Sequence, residues 1–276
     1  MYPSGQSAWG RKEDYRDCSF SLPYLKRKFT VKYHQKHLSK CLFAIAALLG
    51  ASQGFAATVA PSLGTASNFV VLGGAGVTCT ASAVSGDVGS LVTVTGFPTP
   101  APALCTIVGT VHALDAATTT AFADFAVAYD ALAAMPCDAA NNLTGQALAG
   151  KTLAPGVYCF PSTTANLTAG TLTLDAGGDA NAVWVIQVGT AITTGSASVA
   201  LINGAQQQNV FWQLGTAATI GTDTAFTGNI LAGSAITFTG ANASLVGRAL
   251  AKTAVTMTGA NLAQGSSGAV QPPACK

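Results

Sequence analysis

Two stretches near the C-terminus are copies of one another. Residues 226–242 read FTGNILAGSAITFTGAN and residues 245–261 read LVGRALAKTAVTMTGAN, an offset of 19 residues without a gap. Gly228 meets Gly247, Leu231 meets Leu250, Ala235 meets Ala254, Thr237 meets Thr256 and Thr239 meets Thr258. A fixed period of this length with strand-like composition predicts a solenoid. One copy cannot bury its apolar side alone, so copies must stack to build a continuous core. Side chains alternate along a strand, so Ile236 and Phe238 point into that core and Ala235, Thr237 and Thr239 point out of it. Val255 and Met257 face inward in the next copy, opposite Ala254, Thr256 and Thr258.

The outward set carries a recurring tetrad, Thr-Ala-x-Thr. It occurs as Thr190-Ala191-Ile192-Thr193, Thr216-Ala217-Ala218-Thr219 and Thr253-Ala254-Val255-Thr256, with Ser234-Ala235-Ile236-Thr237 as a close variant. Stacked in register, these tetrads form a ladder with rungs about 4.8 Å apart. Threonine is stiff about χ1 and presents both a methyl and a hydroxyl, so such a ladder is a rigid, uncharged array suited to holding water in a regular pattern. Outward threonine is also ordinary strand chemistry, so the ladder alone does not fix a function. Thr239 and Thr258 are expected near a corner.

Charge narrows the choice. Charged residues make up 9% of the chain, against roughly 25% in an average globular protein. From Ala57 onward there are four Lys or Arg, eight Asp, no Glu and one His. A domain so poor in cations is not built for nucleic acid. Polysaccharide-cleaving β-solenoids need clustered acids or bases, and none is in view. His112 and Asp115 read as a helix-end interaction, Asp175 and Asp179 as turn residues around Gly177-Gly178, and Trp184 and Trp212 as core. No catalytic centre, cofactor or metal is expected. A secreted adhesin or matrix protein is the alternative to be weighed.

The N-terminus reads as export machinery. Lys32, Lys36 and Lys40 precede the apolar run 41–51, CLFAIAALLGA, which is too short to span a bilayer. Small residues at Gly54 and Ala56 suit cleavage before Ala57. Residues 31–56 are therefore read as a secretion signal, and residues 1–30 as an extension consistent with a start assigned too far upstream. The mature domain is 57–276, extracellular, with no membrane association and monomeric. Its tail, about 265–276, is expected to be flexible. Five cysteines follow the signal. Cys79–Cys105 and Cys137–Cys159 are the sequence-local pairings, other pairings remain open, and Cys275 is the odd one out. Residues 112–135 contain neither Gly nor Pro. Leu114, Ala121, Phe122, Phe125, Tyr129 and Leu132 recur there at helical spacing, with Pro136 as a stop. Three sequons begin at Asn142, Asn166 and Asn242.

A series of motifs runs from residue 63 to about 262: LGTASNFVVLGG (63–74), SGDVG (85–89), TVHALDA (110–116), LAPGVYCF (153–160), LTLDAGGDANAVWVIQVG (172–189), LINGAQQQNVFWQLG (201–215) and GRALAKTAVTM (247–257). In this order they resemble the microbial ice-binding (antifreeze) protein family. The resemblance implies a mainly β fold: a discontinuous right-handed parallel β-helix, triangular in section, with one long α-helix packed alongside. It implies that the N-terminal part supplies rungs out of sequence order, next to the C-terminal ones. It also implies an ice crystal surface as partner, with thermal hysteresis and recrystallisation inhibition as activities. The family's ice-binding positions, often Thr-Ala/Gly-x-Thr/Asn, map onto Thr190, Ala191, Thr193, Thr216, Ala217, Thr219, Ser234, Ala235, Thr237, Thr253, Ala254 and Thr256.

Overall fold

The structure is a computed structural model that describes residues 15–20, 29–34, 58–97 and 104–265. The chain divides into two compact units, Met1–Ala56 and Ala57–Lys276. In the first, strands β1 (Tyr15–Phe20) and β2 (Phe29–His34) pair antiparallel. Strand β2 crosses residues 30 and 31, the expected junction between extension and signal. The apolar run 41–51, the cleavage point near Ala56-Ala57, Cys275 and nearly all of the tail 265–276 lie outside the described residues.

The second unit is mainly β with one long helix. Its strands, in chain order, are β3 (Phe69–Gly73), β4 (Gly76–Thr80), β5 (Ala83–Ser85), β6 (Asp87–Ser90), β7 (Val94–Thr95), β8 (Thr106–Val108) and β9 (Val111–Ala113). Helix α1 (Ala116–Ala133) follows, and then β10 (Thr152–Leu153), β11 (Gly156–Phe160), β12 (Ala165–Asp175), β13 (Trp184–Val188) and β14 (Ile192–Ile202). The last five are β15 (Val210–Leu214), β16 (Ala218–Gly221), β17 (Ala225–Ala232), β18 (Ile236–Ala251) and β19 (Ala254–Ala263). All the named pairings among them are parallel. The spatial order runs β10 to β19 and then continues with β3 to β9. The first strands of the domain therefore stack on its last: Leu72 pairs with Leu250, Thr78 with Thr256 and Ala83 with Asn261.

The repeat read from sequence is the physical register. Gly228 pairs with Gly247, Leu231 with Leu250, Thr237 with Thr256 and Thr239 with Thr258. Each turn contributes to three ladders. One runs through β11, β13, β15, the end of β17 and of β18, and β3. A second runs through the starts of β12, β14, β18 and β19, with β16 and β4. The third runs through the later parts of β12, β14 and β19 with β5 and β8.

The interior is filled by the large inward residues. Trp184, Trp212, Phe160, Phe226 and Phe238 are fully buried. Both indole N–H groups are satisfied, Trp184 by the Leu153 carbonyl and Trp212 by the Thr227 carbonyl, each at 3.1 Å. These tryptophans are core, as their apolar runs implied. The corners are tight: a Cβ on Gly215 would collide with the Gly189 carbonyl of the turn below. Gly247 (φ 148°) adds a left-handed backbone to the same kind of clash, against Gly228. Disulfides join Cys79 to Cys105 and Cys137 to Cys159.

Helix α1 starts later than its sequence suggests. His112 belongs to β9, which pairs with β6, and the helix begins at Ala116 with Asp115 as its N-cap. Between them Leu114 takes a left-handed conformation and is 72% exposed, so it is not part of the helix's apolar stripe. Asp115 accepts from the Thr118 N–H at 2.8 Å and contacts His112 Nδ1 at 2.6 Å. The expected helix-end interaction is what the residues form. At the other end the Gln187 side-chain amide, carried on β13, donates to the Leu132 and Met135 carbonyls at 2.7 and 2.8 Å. This adds a side-chain donor to carbonyls at and just beyond the helix terminus, where intrahelical partners run out. Ala121, Phe125, Ala128, Tyr129 and Leu132 cluster with Leu72, Val185, Phe211, Leu231 and Leu250, which project from the first ladder.

Three carboxylates tie local structure together and sit below the usual aspartate range. Asp115 is lowered by the Thr118 N–H and by His112, and Asp124 by the Thr65 hydroxyl and N–H. Asp175 is lowered by the Gly177 N–H and the Asn203 amide. The Asp175 and Asp179 hydrogen bonds to the N–H groups two residues on are turn bonds, as read from sequence. A carboxylate with a depressed folded pKa contributes stability that is complete above its unfolded value, about 3.9. That contribution disappears as pH falls through the folded value. The melting temperature is therefore expected to gain no slope from these groups above about pH 5 and to fall below about pH 4. A melting temperature that holds or rises between those conditions and strong acid would contradict this assignment.

Candidate functional site: an uncharged threonine ladder

The twelve tetrad residues form three columns: the first positions lie in the bends at the edge of the second ladder, the alanines border it, and the final threonines lie on it. Their third column is set by strand pairing: Asn166, Thr193, Thr219, Thr237, Thr256, Thr78 and Thr95 lie side by side in consecutive turns. Six intervals of about 4.8 Å give this column a length of roughly 29 Å. Beneath it run Ala165, Ile192, Ala218, Ile236, Val255 and Val77, all buried. The alternation expected from sequence thus holds: Phe238 and Met257 are buried, and the threonines on either side of each reach the surface.

The alanine column, Ala191, Ala217, Ala235 and Ala254, borders the threonine column and continues onto Gly76. The first tetrad position behaves differently. Thr190, Thr216, Ser234 and Thr253 lie in the bends between ladders, linked by backbone hydrogen bonds of 2.8, 2.7 and 3.1 Å, and not on the regular strands. The Thr190 hydroxyl is itself buried and without a hydrogen-bond partner.

Three rungs were not picked out by the tetrad. Thr78 and Thr95 come from the N-terminal strands, where Gly76-Val77-Thr78-Cys79-Thr80 matches Ala254-Val255-Thr256-Met257-Thr258 position for position. That match is legible in the sequence, but only once the two ends of the chain are compared directly. Asn166, at the other end, follows Thr163-Thr164-Ala165. Its side-chain carbonyl accepts from the Thr168 N–H at 3.0 Å.

The electrostatics are those of a surface without fixed ions. No residue of these columns is charged. Lys252, the cation next to Thr253, is drawn to the helix side. Its ammonium lies 3.9 Å from the centre of the Tyr129 ring and 3.6 Å from Asp130. Among the described residues, the hydroxyls of Thr193, Thr219, Thr237 and Thr256 form no hydrogen bond with protein, which leaves them to water. The same residues include no cluster of three or more potential metal ligands. No helix among them is long and apolar enough to cross a membrane.

Residues 71–263 match the family model described as Ice-binding-like. The chain is 47% identical over 180 residues to an ice-binding protein of Nostoc sp. (strain HG1), covering 64% of each. It is 37% identical over 192 residues to an ice-binding protein of Flavobacterium frigoris (strain PS1), covering 63% of this chain and 66% of that one. The chain thus spans just under two thirds of the length of these relatives. The crystal structure of an ice-binding protein from the Antarctic ascomycete Antarctomyces psychrotrophicus superposes with a TM-score of 0.68 at 37% identity, covering 74% of this chain and 97% of that one.

Proposed function

This chain belongs to the ice-binding-like family, and on that premise we propose that it adsorbs to ice through the threonine ladder. The observation that carries the reading is the in-register column Thr193–Thr219–Thr237–Thr256–Thr78, uncharged and seated on a packed core. Ice is a rigid ligand that offers the same weak contact many times over. A protein matches it best with many identical groups held at fixed spacing. Branched threonine side chains supply that stiffness, and the alanine column beside them leaves the hydroxyls and methyls unobstructed. An ionised side chain would hold its own hydration shell and disturb the first water layer, and these columns contain none.

Adsorption of this kind makes ice grow as curved fronts between bound molecules. Thermal hysteresis and inhibition of recrystallisation follow from that curvature. The protein acts as a monomer outside the cell, after removal of its signal near Ala56-Ala57, and carries out no catalysis. The coil is right-handed and triangular in section, with α1 along one side, so that the ladder is left uncovered.

The test is partition. A polycrystalline ice shell grown slowly in a dilute solution of the protein should take the protein up and leave the liquid depleted. A control protein of similar size should be excluded. Exclusion of this chain alongside the control, from a folded sample, would remove ice as its ligand.

A further inference from the structure

Alternation along the strands places a second exposed residue on the same surface, two positions beyond the main column. On β18, β19 and β4 that residue is again threonine: Thr239, Thr258 and Thr80, paired in register. Phe238, Met257 and Cys79 between the two columns are fully buried. Among the described residues, the hydroxyls of Thr80, Thr239 and Thr258 form no hydrogen bond with protein. The corners follow immediately, at Ala81, Gly240 and Gly259, all with positive φ. On β14 and β16 the corresponding positions are Gly195 and Gly221. A Cβ there would strike the Thr168 and Thr194 carbonyls, so those rungs have no room for a side chain.

We infer that the array Thr237/Thr239, Thr256/Thr258 and Thr78/Thr80 fixes the orientation in which the protein lies on ice. The inference rests on the ice-binding reading above. A single column is a one-dimensional comb, and every crystal plane containing a row of matching spacing satisfies it. Two columns on the same strands form a mesh of about 6.6 by 4.8 Å. Only planes that repeat in both directions satisfy a mesh. The bend-borne column Thr190, Thr216, Ser234 and Thr253 is a poor second comb. It lies off the regular strands, and its Thr190 hydroxyl is turned away from solvent.

The test uses the full chain as a fluorescent fusion, adsorbed to hemispheres of oriented single-crystal ice. Thr239→Lys with Thr258→Lys adds hydrated charges to the strand column, and Thr216→Lys with Thr253→Lys does the same in the bends. Circular dichroism and melting temperature monitor folding. If the first variant fails to fold, Thr80→Lys alone carries the same test on β4. The expected result is loss of a decorated plane in the strand-column variant and the parent's pattern in the bend variant. A parent pattern in the strand-column variant, or equal loss in both, overturns this inference and leaves ice binding standing. A folded parent that decorates no plane overturns both.

Discussion

Replacing Thr219 and Thr237 together by tyrosine is expected to abolish the shaping of a single ice crystal while leaving circular dichroism and melting temperature unchanged. The two residues are direct neighbours in the main column, on β16 and β18, with another rung on either side. Two aromatic rings at the centre of the ladder stand above the methyl and hydroxyl surface. They prevent the rungs on both sides from reaching the same plane at once. Adhesion summed from many weak contacts fails when they cannot be made together, so the loss should approach completeness. The side chains point away from the core, and surface substitutions of this type change stability by about 0.5 kcal/mol or less. Crystal habit in a nanolitre osmometer provides the measurement. Shaping that persists in the folded double variant would move the binding surface to another ladder.

The second large effect concerns the interior. Trp212→Ala is expected to destabilise the domain by about 3–5 kcal/mol. Trp212 is fully buried, its ring centroid lies 4.8 Å from that of Phe226, and its N–H is the partner of the Thr227 carbonyl. The substitution removes the ring, opens a cavity, and leaves that carbonyl without its donor. Whole domains are stable by only about 5–15 kcal/mol, so this one change consumes a large part of the margin. Urea denaturation followed by fluorescence should show a markedly lower midpoint. A change below about 1 kcal/mol would show that neighbouring turns collapse into the space.

The legible parts of this fold are those that repeat at constant spacing. A parallel stack places equivalent residues on neighbouring strands, so self-alignment of 226–242 with 245–261 returned the true pairing of Thr237 with Thr256 and Gly228 with Gly247. What interrupts the spacing was harder to read. The junction between β9 and α1 has no Gly or Pro to mark it, because Leu114 makes the turn with a positive φ. The sequence therefore predicts a helix from His112, four residues ahead of its start at Ala116. The first tetrad position looks like part of the ladder in a linear string. The preceding Gly189, Gly215 and Gly233, which crowd the backbone of the turn below, mark it instead as a corner. The family resemblance implies N-terminal rungs beside the C-terminal ones, but no period connects the two, so the tetrad does not pick out Thr78 and Thr95 themselves. The kinship of the two sets of rungs lies in Gly76–Thr80 alone.

The stacking of β3–β5 on β18 and β19 sets a schedule for folding. Within the second unit, the strands made first on the ribosome have as neighbours strands made last, roughly 180 residues later. Arg248 illustrates the delay: its guanidinium donates to the Ser67 carbonyl at 3.0 and 2.7 Å, a contact that closes only when nearly the whole domain exists. Contacts so distant in sequence slow folding, because loop-closure entropy is lost before they form. A coil that begins with β10 can grow turn by turn toward β19. Strands β3–β5 pair with β6–β8 on one side, but their other edge must wait for that growth to reach it. Their exposed edges meanwhile favour association with other chains. High local concentration of nascent chains is therefore the condition under which this domain is most prone to aggregate.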